Sequence, residues 1–306
     1  LSGILTQGGT ILGTSRHLPE RMPSPQGLVD RTQEAIESYH RNKLDALVII
    51  GDNKSQLAAY HLSQAGLNII TMPKSCENDV PLTDKSIGFD TAREIATQAI
   101  DRLHTNANAT HRIMLVELLG NCSGWLTMGA GLAAGADVIL IPEIPYDFDV
   151  IIDAIHRRKA AVRNFSLVAA AEKARSKELV DFMELAASKR AENAEEQEKA
   201  FERIENNYSA QTLLLARRLG EATDLETHIT ILGSLVRGGT PTAADRLLAN
   251  QLAEWSVKMA VEGQFGRMAC RIDGSVTSVP LDQVVGKAKV IPPDHDWIRG
   301  SYRVGT

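Results

Sequence analysis

Short apolar runs separated by amphipathic stretches recur along most of this chain. Leu44-Asp45-Ala46-Leu47-Val48-Ile49-Ile50 is apolar and β-branched and stops at Gly51, which predicts a buried parallel strand. Helical spacing follows over residues 55–65, with Gly66 at the C-cap position, and residues 68–72 predict the next strand before Pro73. The same unit repeats downstream. A helix is predicted over residues 93–104, a strand over 112–118, a small-residue helix over 127–134 and a strand over 138–141. A further helix over 150–161 and strands over 166–171 and 228–232 complete the pattern. Strands alternating with helices of this length predict an α/β fold with two Rossmann-like, doubly wound parallel sheets. Residues 173–206 break the rhythm, being dense in Glu, Lys, Arg and Ala without Gly or Pro, and predict one long, largely solvated helix.

Composition narrows the functional classes. The 306 residues are 43% hydrophobic and 23% charged, enough to bury one large or two medium cores. Lys+Arg 33 against Asp+Glu 38 gives a formal charge of -5, which points away from nucleic acid or an anionic membrane as the main partner. No apolar run approaches the roughly 20 residues of a membrane span. Cys76, Cys122 and Cys270 form no C-x-x-C pair, so neither a disulfide framework nor a zinc site is expected, and a reducing, cytoplasmic setting fits. Leu1-Ser2-Gly3-Ile4-Leu5 lacks the charged region of a signal peptide and reads as a chain that opens inside something longer.

Ligands of open α/β sheets lie beyond the carboxyl ends of the strands, so candidate chemistry is read there. After the first strand, Gly51-Asp52-Asn53-Lys54-Ser55 is either a phosphate cradle at a helix N-terminus or a polar turn with Ser55 as N-cap. After the second, Lys74-Ser75-Cys76-Glu77-Asn78-Asp79 offers two carboxylates beside a Lys and a Ser, suited to a general base and a metal or hydroxyl ligand, or to turn formation alone. After the third, Gly120-Asn121 and Gly124 would let backbone approach a ligand closely. Arg112 precedes that strand, at its opposite end, and would reach a ligand only across an interface. Arg237, set before Gly238-Gly239, is a candidate phosphate clamp, whereas Asp245 is expected to pair with an Arg on its own helix.

These stretches, with Gly8-Gly9-Thr10-Ile11-Leu12-Gly13-Thr14-Ser15-Arg16, Gly88-Phe89-Asp90-Thr91-Ala92, Gly135-Ala136-Asp137 and Pro142-Glu143, occur in the order and spacing of the 6-phosphofructokinase family, which the chain resembles over nearly its whole length. The resemblance implies phosphoryl transfer from ATP or pyrophosphate, with Mg²⁺, to the C1 hydroxyl of fructose 6-phosphate. It implies the phosphofructokinase fold, with a donor-side domain of residues 1–87 plus 237–290 and a sugar-phosphate-side domain of 88–236 plus 291–306. It also implies oligomers, usually tetramers, with sites shared between subunits. Set against the family, the given sequence is expected to begin after the family's first strand and Gly-rich donor loop, so that its first domain reads as N-terminally truncated.

Carried over position by position, the resemblance makes Glu77, Asp79 and Asn121 the catalytic set. Glu77 stands for the family's catalytic Asp, and Asn121 stands for its transition-state Arg. Arg16, Gly51, Asn53, Lys54 and Ser55 fall on donor-binding positions, with Asn53 in place of the Mg²⁺-associated Asp. Lys74, Ser75, Arg112, Gly120, Glu172, His228, Ser234 and Arg237 fall on the sugar-phosphate pocket, where His228 and Ser234 replace an Arg and a His. So many altered positions predict a catalytically impaired homologue serving as a regulatory or structural subunit, with a sugar phosphate or phosphorylated effector as ligand. The alternatives are an active enzyme using Glu77 as base, or a pure scaffold within a hetero-oligomer.

Overall fold

The structure is a computed structural model and describes residues 3–15, 17–161, 163–188 and 208–304. Its strands are β1 (Met22–Ser24), β2 (Gly27–Val29), β3 (Leu47–Gly51), β4 (Ile69–Pro73), β5 (Ile113–Leu118), β6 (Val138–Leu140), β7 (Ser166–Ala171), β8 (Thr227–Ile231), β9 (Arg267–Ile272) and β10 (Ser275–Pro280). Its helices are α1 (Thr32–Arg41), α2 (Asn53–Gln64), α3 (Phe89–Thr110), α4 (Trp125–Ala133), α5 (Phe148–Ala160), α6 (Lys177–Ser188), α7 (Tyr208–Thr223), α8 (Ala243–Val261), α9 (Leu281–Val284) and α10 (Asp296–Val304). The chain divides into two compact units, Leu1–Ala92 with Arg237–Lys289 and Arg93–Val236 with Val290–Thr306. The first division follows Ala92, whereas the motifs put it after Ile87.

The first unit is built on a four-stranded sheet ordered β10-β9-β4-β3, with β3 and β9 parallel to β4 and β10 antiparallel to β9. β4 is buried at every residue. Ile69 joins Leu62, Met268, Leu281 and Val284 on one face, while Ile70 and Met72 join Leu248, Leu252 and Met259 on the other. Alternate residues thus feed two cores, and helices cover both faces. β3 departs from expectation. It lies at the sheet edge, and Val48 and Ile50 are 40% and 48% exposed, because an apolar run does not say whether a neighbour will pair with it.

The second unit holds an all-parallel sheet ordered β6-β7-β5-β8, with β5 and β7 buried throughout. Ile113, Leu115, Val168 and Ala170 face α5 and α7 through Phe148, Ile151, Ile155, Leu215 and Leu219. α4 packs against β6, β7 and α10, where Trp125, His295 and Trp297 meet edge to face. The long charged helix is corrected at its start. Residues 172–176 form a turn and an isolated bridge, and α6 begins at Lys177. The remainder of that expected helix, residues 189–206, lies outside the described residues. The β9–β10 hairpin was not expected, since charged Arg267 and Arg271 interrupt the apolar pattern of β9, whereas α8 is the helix expected to carry Asp245.

Candidate active site

In the first unit the carboxyl ends of β3 and β4 lie side by side, Gly51 opposite Pro73, and the backbone N–H of Lys74 donates to the carbonyl of Gly51 at 2.9 Å. A Cβ on Gly51 would fall 2.1 Å from Ser55 Oγ, so glycine is required here by the first turn of α2 crossing the strand end. Asp52 caps α2: its Oδ1 accepts from the N–H and the hydroxyl of Ser55, both at 3.1 Å. Ser55 is therefore the capped residue and not the cap. A carboxylate already holds an N–H that a phosphate would use, which argues against a phosphate cradle at this terminus.

The turn after β4 is closed by its own side chains. Ser75 Oγ donates to Asp79 Oδ1 and accepts from the Glu77 N–H, which fixes the backbone carrying both carboxylates. Asn53 Nδ2 donates to the Asp79 carbonyl and to Asp79 Oδ2, both at 3.0 Å. Asn78, buried in the left-handed conformation (φ 55°), accepts from the Ser86 N–H and donates to the Asp84 carbonyl. Lys289, which no motif pointed to, closes this turn from a distant part of the chain. Its N–H donates to the Asp79 carbonyl, and its Nζ donates to the carbonyls of Thr83 and Asp84 at 2.8 and 2.6 Å. Burial lowers the Lys289 pKa to about 8 despite the nearby Asp84. Arg237, an expected phosphate clamp, is exposed and lies near enough to the Cys76 thiol to lower its pKa. Burial raises the Cys76 thiol, Glu77 raises it further, and Arg237 opposes them.

Asp245 overturns its expectation. It does not pair with an Arg on its own helix. Its carboxylate is buried and accepts from the N–H of Gly88 and from both the N–H and the hydroxyl of Thr91, closing the start of α3.

In the second unit, Gly120, Glu172 and Ser234 come together at the carboxyl ends of β5, β7 and β8. The Glu172 N–H donates to the Leu118 carbonyl at 2.9 Å, and the Lys173 N–H to that of Gly120. Cβ atoms on Gly120 and Gly124 would meet Ala171 Cβ at 2.7 Å and Ile141 Cβ at 2.5 Å, so internal packing accounts for both glycines. Asn121 is exposed on this loop. Glu143, known from sequence only as part of a motif, anchors the loop by accepting from the N–H groups of Gly124 and Ile291. Arg112 and His228 lie at the opposite end of the sheet, His228 at the start of β8 and Ser234 beyond its end, as the predicted strand over 228–232 implies. Arg112 and His228 flank Glu226, with Arg112 Nε at 2.7 Å and His228 Nε2 at 2.8 Å. The His228 hydrogen bond, aided by Arg112, holds the Glu226 carboxyl below its usual range. Arg16 lies outside the described residues.

A protein-held Mg²⁺ would need free oxygen ligands among these side chains. Among the described residues no three His, Cys, Asp or Glu side chains converge as a metal site. Asp79 has both carboxylate oxygens engaged by neutral donors, and Asp52 is engaged at its helix cap. The residues present do not fit a protein-held divalent cation.

Two α/β units, each with turns gathered at the carboxyl ends of parallel strands, define an α/β protein of the doubly wound class. The family model described as Phosphofructokinase matches residues 1–260. The chain is 46% identical to the ATP-dependent 6-phosphofructokinase of Propionibacterium freudenreichii subsp. shermanii, an alignment covering 100% of the chain and 83% of the relative. It is 44% identical to the enzyme of that name from Spirochaeta thermophila, covering 99% and 81%. The Pichia pastoris phosphofructokinase in the T-state superposes with a TM-score of 0.73 at 26% identity, covering 92% of this chain and 29% of that one. The pyrophosphate-dependent phosphofructokinase of Marinobacter aquaeolei superposes with a TM-score of 0.72 at 20% identity over 96% of this chain and 73% of that one, a likeness of fold. The chain belongs to the phosphofructokinase family. Its relatives carry the names of enzymes, which favours the active alternative over the impaired reading. No helix among the described residues is long and apolar enough to cross a membrane.

Proposed function

We propose that this chain is an active 6-phosphofructokinase that transfers a phosphoryl group from ATP to fructose 6-phosphate, with Glu77 as general base. The observation that carries this reading is the closed Ser75–Asp79 turn at the end of β4, in a chain 46% identical over its whole length to a protein named for that reaction. Glu77 takes the proton of the C1 hydroxyl as that oxygen bonds to the γ-phosphorus and the bond to ADP breaks. General-base assistance of this kind is worth about 10²–10⁴ in rate. Gly120, Glu172 and Ser234 supply the sugar-phosphate side, and Lys74 and Arg237 the charge that binds phosphate. Arg112 and His228, at the far end of their sheet, serve a neighbouring subunit's site in an oligomer.

A coupled assay with fructose 6-phosphate and either ATP or pyrophosphate tests the reading on the whole protein. Turnover with ATP is expected, and Glu77→Gln lowers kcat about 10²–10⁴-fold with the circular dichroism unchanged. An unaffected rate in Glu77→Gln rejects the assignment of the base. Absence of turnover with both donors rejects the enzyme and leaves a ligand-binding regulatory subunit. That second reading is favoured by one observation, the Asp52 carboxylate at the N-terminus of α2. A melting-temperature rise with fructose 6-phosphate then separates a binding subunit from a scaffold.

A further inference from the structure

The misfit between Mg²⁺ and the turn after β4 has a positive counterpart in Asn53. This residue opens α2, yet its amide reaches back to the turn and donates from one nitrogen to two oxygens of Asp79, the carbonyl and Oδ2, each at 3.0 Å. Ser75 Oγ holds Oδ1 of the same carboxylate, and the Lys289 N–H holds the same carbonyl at 2.8 Å. The fastening therefore joins three segments distant in sequence: the first turn of α2, the strand-end turn, and the chain before Val290. A carboxylate in place of the Asn53 amide would face Asp79 across about 3 Å with like charge, and the two would need a cation between them. The amide supplies a hydrogen-bond donor where that cation would otherwise be required.

We propose that Asn53 is a positioning residue that closes the Asp79 turn by direct amide donation, so that the backbone carrying Glu77 and Asp79 is set without a protein-bound divalent metal. The link to catalysis rests on the phosphotransferase reading; the fastening itself does not. A donor phosphate would then bring its Mg²⁺ with it, and the turn would hold its shape in chelator.

Thermal melting of the full chain without nucleotide, in EDTA and in 10 mM MgCl₂, tests this. The wild-type protein is expected to melt at the same temperature in both. Asn53→Asp melts about 3–6 °C lower in EDTA and recovers most of that loss in MgCl₂, a metal dependence that loss of packing alone would not create. Asn53→Ala removes the donor without adding charge and melts lower by a similar amount in both buffers. The proposal is overturned if MgCl₂ alone stabilises the wild type as it does Asn53→Asp. It is overturned equally if Asn53→Ala melts with the wild type, a result readable even where Asn53→Asp does not fold. Turnover is read separately: an inactive wild type with these melting shifts sinks the phosphotransferase reading and leaves the fastening standing.

Discussion

At the residue scale, two side chains show how little a motif says about what a residue does. Asp245 is 3% exposed and accepts three hydrogen bonds from Gly88 and Thr91. Its removal would leave buried donors unpaired at the start of a helix. Asp245→Ala is expected to lower stability by about 2–4 kcal/mol, and Asp245→Asn by less because the amide oxygen still accepts; urea unfolding measures both. Gly51 and Ser55 make a tighter test. A Cβ on residue 51 would lie 2.1 Å from Ser55 Oγ and 2.4 Å from Ser55 Cβ. Gly51→Ala therefore destabilises, Ser55→Ala does not rescue it, and Ser55→Gly does, which a double-mutant cycle on urea midpoints would reveal. Rescue by Ser55→Ala would locate the conflict at the hydroxyl alone.

At the element scale, the turn after β4 is held by chain that lies far away in sequence. Lys289 fastens the carbonyls of Asp79, Thr83 and Asp84, while Asp84 accepts from the N–H groups of Asp273 and Gly274 in the β9–β10 turn. The pKa of Lys289 falls from 10.5 to about 8 through burial, and its sign of linkage follows. Below about pH 8 both folded and unfolded chains hold the proton and the full burial cost stands. Between about pH 8 and 10.5 the unfolded chain keeps a proton that the folded chain has released, so this group makes stability rise with pH. Cys270, raised by burial to about 11, acts in the opposite sense above pH 9, so the comparison must be with Lys289→Met and not with pH alone. The difference in urea midpoint between wild type and Lys289→Met is expected to move in favour of the wild type from pH 7.5 to 9.5; a constant difference would show that the lysine titrates normally. The strands themselves were legible. The predicted strand over residues 166–171 coincides with β7, and β4, β5, β6 and β8 begin and end within a residue of expectation, because each is a short run rich in apolar or β-branched residues. The edge position of β3 was not, since it depends on strand order rather than on the strand.

At the scale of the whole molecule, each unit carries its own core and its own reporter. Ile70 is fully buried in the first unit, which contains Trp255, and Leu115 is fully buried in the second, which contains Trp125 and Trp297. Ile70→Ala and Leu115→Ala should each cost about 2–5 kcal/mol, read by fluorescence from the tryptophans of the affected unit after the others are replaced by Phe. A loss below 1 kcal/mol would mean that the strand is less tightly packed than its burial implies. The sequence by itself determined the α/β class, the family and most of the strands with the turns that follow them, since these depend on local periodicity and on residues adjacent in the chain. Only the tertiary structure decided what those residues hold: Asn53 and Lys289 on Asp79, Asp245 on Thr91, Glu143 on Gly124 and Ile291. A hydrogen bond between segments up to some two hundred residues apart leaves no trace in the spacing of either one, and it exists only once the sheets have brought the strand ends together.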